Sequence, residues 1–193
     1  MKTRADFADP QRPGGFDPRI LWALLSVAAL WRLMFWMPYY VPGDTFNYLN
    51  ALDIFQAPLL GSPLHIARLG MVLPLAFLRW LSGDWHYFST LYALAASLGT
   101  CYLVFVLANR WGGANAGYLA CAIIALVPME VVYGTMLVPD TPLDFYSIAA
   151  FWCLATAARE RINHRAFYAG VLIGLAYTCK GTGLFFAPVA LLH

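Results

Sequence analysis

Charged residues are scarce in this sequence, at 11% of its 193 residues, whereas hydrophobic residues make up 61%. Soluble domains typically carry about 25% charged and about 45–50% apolar residues. The shortage of charge excludes an ordinary soluble domain. A formal net charge of only +2 also excludes nucleic-acid binding through a basic patch. The composition therefore predicts a protein that lies in a membrane.

Several sequence motifs of soluble enzymes are missing as well. The four cysteines have neither CxxC spacing nor a histidine cluster nearby, so they indicate packing residues and exclude a zinc site. No glycine-rich phosphate loop follows a strand, and no DxD motif of nucleotide-sugar enzymes occurs. The sequence also has no internal repeat, which weighs against a transporter built from inverted repeats.

Long apolar runs predict the membrane topology. Each crossing needs about 20 residues, and short cytoplasmic loops carry the Lys and Arg residues. Basic residues put the N-terminal tail and residues 109–115 and 159–165 inside the cell. Parity then leaves residues 64–81 as an interfacial or re-entrant helix on the outer side. The predicted crossings are residues 20–37, 87–108, 114–138, 142–158 and 166–179.

The predicted fold class is all-α, a polytopic transmembrane helical bundle with interfacial helices in its first outer loop. Residues 1–19 are predicted to form a flexible cytoplasmic tail, and residues 20–193 the transmembrane domain. The last apolar run is too short to cross and ends without a polar tail, which predicts that the domain continues beyond His193. The expected location is a cell membrane, with several crossings and a cytoplasmic N-terminus.

Two aspartates on the predicted outer face are candidate catalytic residues. Asp44 follows the first crossing in PGDTFNYLNALDIF, where it is either a helix N-cap or a carboxylate that takes a proton from an acceptor hydroxyl. Asp140 lies in MLVPDTPLDF. There Thr141 as N-cap, Pro142 at the first helical position and Asp144 at the third predict a complete helix start. Asp140 is left without a capping role, which favours a functional one.

Four further residues complete the candidate site. Lys180, in TCKGTG, is either a lysine that snorkels to the interface or, with Arg68, a cation for a phosphate-bearing leaving group. Glu130 is predicted about 12 Å below the outer end of its crossing, at 1.5 Å per residue, where a carboxylate is paired, protonated or lining a wet cavity. Pro128 and Gly134 on either side predict a kink there, and lining a cavity is the favoured role. His65 is placed with it on the outer side of that cavity.

Four segments together resemble the GT-C membrane glycosyltransferases, in the branch of the aminoarabinose and galacturonic acid transferases of lipid A and the protein O-mannosyltransferases. The resemblance runs from about residue 20 to the end, and relatives are much longer. The segments that carry it are PGDTFNYLNAL, NRWGGANAGYLA, VPMEVVYGTMLVPDTPLDF and AGVLIGLAYTCKGTG.

The resemblance implies an enzyme that passes a sugar from a polyprenyl-phosphate donor to a lipid, glycan or protein acceptor on the outer or periplasmic face. Asp44 matches the family's first-loop catalytic carboxylate, Asp140 the aspartate of its second outer loop, and Lys180 its Lys-Gly lysine. Many relatives have an acidic pair where Thr45 follows Asp44 here, which leaves the use of a divalent metal open; no metal ligands are assigned. No nucleic-acid partner is expected, and membrane lipid surrounds the chain.

Two alternatives from other functional classes remain at this point. A fragment of a transporter or flippase would use Glu130 and broken helices as a path, and would need essential charges near the membrane midplane. A non-catalytic membrane subunit is the other alternative, because the chain ends in the middle of an apolar run.

Overall fold

The structure is a computed structural model, and it describes residues 16–36, 68–82, 86–160, 163–186 and 188. Within these ranges every regular element is helical, which confirms the predicted all-α fold class. A 3₁₀ helix, Gly181–Phe186, follows the last of seven α-helices. These are α1 (Pro18–Met34), α2 (Leu69–Ser82), α3 (His86–Gly112), α4 (Ala114–Leu126), α5 (Pro128–Tyr133), α6 (Asp140–Glu160) and α7 (Asn163–Cys179).

Helix α3 is the centre of the bundle, because it contacts α1, α2, α4, α5 and α6. Its segment Thr90–Gly112, 23 residues long, is the one helix in the described ranges that is long and apolar enough to cross a membrane. At 1.5 Å per residue this segment rises about 35 Å, which exceeds the roughly 30 Å of a hydrocarbon core. The crossings predicted elsewhere in the chain stay predictions.

The start of α1 is fixed by a local cap and by a contact with α4. The side chain of Asp17 accepts a hydrogen bond from the backbone N–H of Arg19, as an N-cap does. The hydroxyl of Tyr118 accepts from the N–H of Asp17 at 2.7 Å and donates to its carbonyl at 2.8 Å. Helix α1 therefore begins at Pro18, slightly before the predicted start of the first crossing.

The run over residues 114–138, predicted as one crossing with a kink around Glu130, contains two separate helices. Helix α4 ends at Leu126, and the short helix α5 begins at Pro128. Val127 between them has an extended ψ of 120°. Proline has no N–H to donate and disfavours helical backbone in the residue before it, which explains the break. Glu130 consequently lies in the first turn of a separate short helix.

The predicted capping scheme for α6 is wrong. The helix begins at Asp140, because the carbonyl of Pro139 already accepts from the N–H of Leu143 at 3.0 Å. Thr141 is a helical residue with 1% of its surface exposed, and its Oγ1 has no hydrogen-bond partner in the described part of the chain. Asp140 is thus the first residue of the helix, and Asp144 makes a different contact, described below.

Two hydrophobic clusters hold the helices together. One joins α1, α3 and α4 at the end where α1 begins, and consists of Leu21, Ala28, Cys101, Phe105, Cys121 and Ala125. The other joins α2, α6 and α7 beneath the candidate site, and consists of Met71, Val72, Leu75, Leu137, Leu143, Ala176 and Cys179.

Helix α2 covers the predicted interfacial or re-entrant run in part, since residues 64–67 lie outside the described ranges. Its 14 residues rise about 21 Å, too little to cross a membrane. Its first half is buried in the bundle at Gly70, Met71 and Val72. A Cβ on Gly70 would lie 2.5 Å from the carbonyl oxygen of Leu175, so glycine allows the close approach of α2 to α7.

Candidate active site

An ion pair joins two predicted site residues, Asp140 at the start of α6 and Lys180 directly after α7. Nζ of Lys180 donates to Oδ1 of Asp140 at 2.7 Å. The helices are antiparallel neighbours, so the first residue of α6 meets the residue that follows α7. The Lys180 side chain is 42% exposed and that of Asp140 35%. Both charges are therefore accessible to a ligand from outside the bundle.

The chain turns sharply after Lys180, and Gly183 makes this turn feasible. The N–H of Gly183 donates to the carbonyl of Lys180 at 2.8 Å. A Cβ on Gly183 would lie 2.5 Å from backbone atoms of Ala176 and Tyr177, whereas a Cβ on Gly181 would meet nothing within 4 Å. The 3₁₀ helix therefore folds back against the end of α7 and fixes the backbone that carries Lys180.

Arg68 lies at the same end of the bundle. Its carbonyl accepts from the N–H groups of Met71 and Val72, which places Arg68 at the start of α2. The next turn is tied to α7, because the N–H of Gly70 donates to Oγ1 of Thr178 at 3.0 Å. The guanidinium is close enough to act electrostatically on Cys179, the residue before Lys180. Both predicted phosphate-binding cations therefore belong to elements that meet at this end of the bundle.

A second contact fixes α2 from the side of α3. The hydroxyl of Tyr92 donates to the carbonyl of Gly70 at 2.7 Å and lies 3.2 Å from the hydroxyl of Tyr146. This arrangement links α2, α3 and α6 a short distance below the ion pair. Contacts among α2, α3, α6 and α7 therefore determine the positions of Arg68, Asp140 and Lys180.

Sequence reasoning missed a pair of acidic side chains beside the ion pair. The carboxyl group of Asp144 is close enough to that of Glu130 for the two to interact. Asp144 follows Asp140 by one helical turn, and it interacts electrostatically with both Asp140 and Lys180. The i, i+4 spacing of the two aspartates was a signal for this proximity, since such residues share one helix face.

Sequence reasoning also missed Arg32, which is fully buried in the middle of the bundle. Its Nε donates to Oγ of Ser97 at 2.8 Å, and its terminal nitrogens donate to the carbonyls of Ala28 and Ala125 and to Sγ of Cys101. Oγ of Ser97 lies 3.5 Å from Oε2 of Glu130. Burying a charge inside a membrane crossing costs free energy, so an arginine within a predicted crossing indicates a buried polar site. This was the sequence signal for Arg32.

Two predicted site residues, Asp44 and His65, lie outside the described residues. Glu130 is half-buried and hydrogen-bonded, and its role in lining a cavity stays a prediction. Within the described ranges no group of three His, Cys, Asp or Glu side chains is arranged to hold a metal ion. Near the candidate site, Asp140 is instead engaged with Lys180 and Glu130 with Ser97, while Asp144 interacts with Glu130.

Comparison with known proteins assigns the family. The model of the dolichyl-phosphate-mannose-protein mannosyltransferase family matches residues 73–193, which is more than half of the chain. No curated protein and no solved structure matches the chain significantly. The matched region includes Glu130, Asp140, Asp144 and Lys180. The chain therefore belongs to the dolichyl-phosphate-mannose-protein mannosyltransferase family of membrane-integral glycosyltransferases, as the GT-C resemblance predicted.

Proposed function

We propose that the chain transfers a sugar from a polyprenyl-phosphate donor to an acceptor on the outer face of the membrane, at a site built around Asp140 and Lys180. The observation that carries this proposal is their accessible ion pair at 2.7 Å. An ammonium group has three N–H donors, and Asp140 takes one of them. The other donors are suited to phosphate oxygens.

The reaction exchanges one bond at the anomeric carbon of the sugar. The acceptor hydroxyl attacks this carbon while the bond to the phosphate oxygen breaks, and the acceptor proton passes to a carboxylate. Polyprenyl phosphate leaves with one more negative charge than the phosphate group of the donor had. Lys180 and Arg68 stabilise the leaving group because cations act most strongly where charge develops.

Asp44 is proposed as the base that accepts the proton, and Asp140 as the carboxylate that holds Lys180 in place. Asp140 takes over as base if Asp44 serves only as a helix cap. Acceptors of three classes fit the proposal, namely a membrane lipid, a glycan and a protein. The alternative of a transporter or flippase draws some support from the charges of Arg32 and Glu130 inside the bundle, but the family assignment favours the transferase.

The test is transfer of labelled mannose from polyprenyl-phosphate-mannose by the full chain in lipid, with release of polyprenyl phosphate measured in parallel. Asp44→Asn should reduce turnover by about 10²–10⁴-fold while donor binding survives, because the amide cannot accept the proton. Near-normal turnover of this variant would show that Asp44 is not the base, and the proposed base would then be Asp140. Failure of the wild-type chain to consume any polyprenyl-phosphate sugar, with lipid, glycan and protein acceptors all supplied, would overturn the proposal.

A further inference from the structure

Helix α2 begins without one of the residue types that usually cap a helix. Arg68 stands directly before Leu69, and its carbonyl accepts the first helical bond from the N–H of Val72 at 3.0 Å, so Arg68 occupies the N-cap position. A guanidinium has only donors and cannot accept from the N–H groups of the first turn. Its charge is also unfavourable at the positive end of the helix dipole. Arg68 therefore gives α2 no side-chain cap.

Gly70, in the first turn of α2, has two backbone groups that the helix itself leaves without partners. Its N–H is one of the first-turn donors, which have no acceptor within the helix. Its carbonyl would accept from the residue four positions later, but that residue is Pro74, which has no N–H. Gly70 is buried, and an unpaired buried backbone group costs free energy. Both groups of Gly70 thus depend on partners from other helices.

Side chains of α7 and α3 supply these two partners. Oγ1 of Thr178 accepts from the N–H of Gly70 at 3.0 Å and donates to the carbonyl of Leu175 at 2.9 Å. The proton of this hydroxyl is therefore directed to α7, which leaves a lone pair for α2. The hydroxyl of Tyr92 donates to the carbonyl of Gly70 at 2.7 Å. Thr178 thus caps α2 from a neighbouring helix, and Tyr92 replaces the donor that proline lacks.

The hydrogen bond between Gly70 and Thr178 lies two residues from each proposed phosphate-binding cation. Arg68 precedes Gly70 by two residues, and Lys180 follows Thr178 by two. The backbone of Lys180 is fixed in turn, because its carbonyl accepts from the N–H of Gly183 at 2.8 Å. A displacement of α2 along α7 would therefore change the position of one cation relative to the other.

We propose that Thr178 is a positioning residue for donor binding: by capping α2 from α7, it holds Arg68 at a fixed position relative to Lys180. Tyr92 supports the same arrangement from α3. This inference rests on the proposed function of both cations at the donor phosphate. Two cations that are already held in place bind a phosphate more tightly than two that must be ordered on binding, because less conformational freedom is lost.

Matched substitutions separate this role from a general contribution to folding. Thr178→Val keeps a similar shape but removes the hydroxyl, whereas Thr178→Ser keeps the hydroxyl. Thr100→Val is the control, because the hydroxyl of Thr100 is buried and donates to the carbonyl of Ala96 in its own helix at 3.0 Å. Tyr92→Phe keeps the ring and removes the second hydrogen bond to Gly70, so it tests the arrangement even where Thr178→Val does not fold.

The experiment measures the dissociation constant of polyprenyl-phosphate-mannose for the full chain in lipid nanodiscs, together with the melting temperature of each variant. Thr178→Val and Tyr92→Phe should each weaken binding by about three- to tenfold, as expected for one lost hydrogen bond. Thr178→Ser and Thr100→Val should bind as the wild type does. Arg68→Ala should weaken binding about tenfold. Adding Thr178→Val to Arg68→Ala should weaken it by less than about twofold more, because both substitutions remove the same contribution.

The inference is overturned if Thr178→Val binds the donor as tightly as Thr100→Val does. It is also overturned if Thr178→Val weakens binding by the same factor with and without Arg68, because the hydroxyl would then act independently of this cation. Wild-type affinity of Arg68→Ala would overturn the inference and leave the proposed site at Asp140 and Lys180 in place. No binding of the donor by the wild-type chain would overturn the proposed function itself.

Discussion

The ammonium of Lys180 and the carboxylate of Asp140 are 2.7 Å apart, and they join the end of α7 to the first residue of α6. More than a third of the surface of each side chain is exposed. Partly exposed ion pairs stabilise proteins by less than about 1 kcal/mol. We infer that this pair is placed for binding and contributes little to the stability of the fold.

Replacement of Asp140 should separate stability from function. Asp140→Asn should change the free energy of unfolding by less than about 1 kcal/mol, because the ion pair that it breaks is partly exposed. Donor affinity should stay the same or rise a few-fold, since phosphate no longer competes with a carboxylate for Lys180. Turnover should fall, because Lys180 loses the partner that orients it. Thermal unfolding, donor binding and transfer rates of one preparation check all three expectations.

The turn after Lys180 should tolerate alanine at one glycine and not at the other. Gly183→Ala should destabilise the chain by about 1–3 kcal/mol and weaken donor binding, because a Cβ there overlaps the backbone at the end of α7. Gly181→Ala is the matched control, since its Cβ would meet open space. Equal melting temperatures and equal donor affinities for the two variants would contradict this account of the turn.

Loss of the buried guanidinium should destabilise the bundle. Arg32→Gln removes the charge that faces Glu130 through Ser97, and it removes the guanidinium donor to the carbonyls of Ala28 and Ala125. Breaking such a buried ionic network costs about 3–5 kcal/mol. Arg19→Gln, at the exposed start of α1, removes the same charge and is the control. The melting temperature of Arg32→Gln should lie well below that of Arg19→Gln, and similar values would refute the stabilising role.

The predicted topology is accessible to cysteine labelling. The four native cysteines are buried, so an impermeant thiol reagent should report on cysteines introduced at Gly61 and Asp84. Both positions should react from the outside, because residues 38–86 are predicted to contain no complete crossing. Labelling of position 84 from the cytoplasm alone would mean that α2 and the residues around it cross the membrane.

The sequence predicted the helical class, and residue patterning explains why. Apolar runs separated by basic turns indicate helices regardless of how these helices contact one another. Local signals failed where tertiary contacts competed with them. Thr141 to Asp144 form a good capping pattern, but Asp144 interacts with Glu130. Thr141 is buried, and its Oγ1 has no hydrogen-bond partner among the described residues. The break at Pro128 was detectable as a kink, and its full extent depended on the backbone of Val127.

The part of the candidate site that lies at helix ends was predictable from the sequence, and the part that depends on contacts between helices was not. Asp140 and Lys180 each stood next to a helix end on one predicted face, so their proximity followed from the topology of two antiparallel helices. The series of hydrogen bonds from Arg32 through Ser97 to Glu130 joins three helices that are far apart in sequence. Its geometry depends on how α1, α3 and α5 contact one another, which no local pattern specifies. Arg32 was still visible as a lone charge in an apolar run.

The central claim is that Lys180 binds the phosphate of a polyprenyl-phosphate donor. Its most direct test is the dissociation constant of polyprenyl-phosphate-mannose for Lys180→Ala, compared with Arg110→Ala. Arg110 is 18 residues from Tyr92 along α3, about 27 Å at 1.5 Å per residue, and serves as a cation control remote from the site. Lys180→Ala should weaken donor binding by at least about tenfold, as expected for a lost charge-assisted contact. Equal affinities of Lys180→Ala, Arg110→Ala and the wild-type chain would contradict the account.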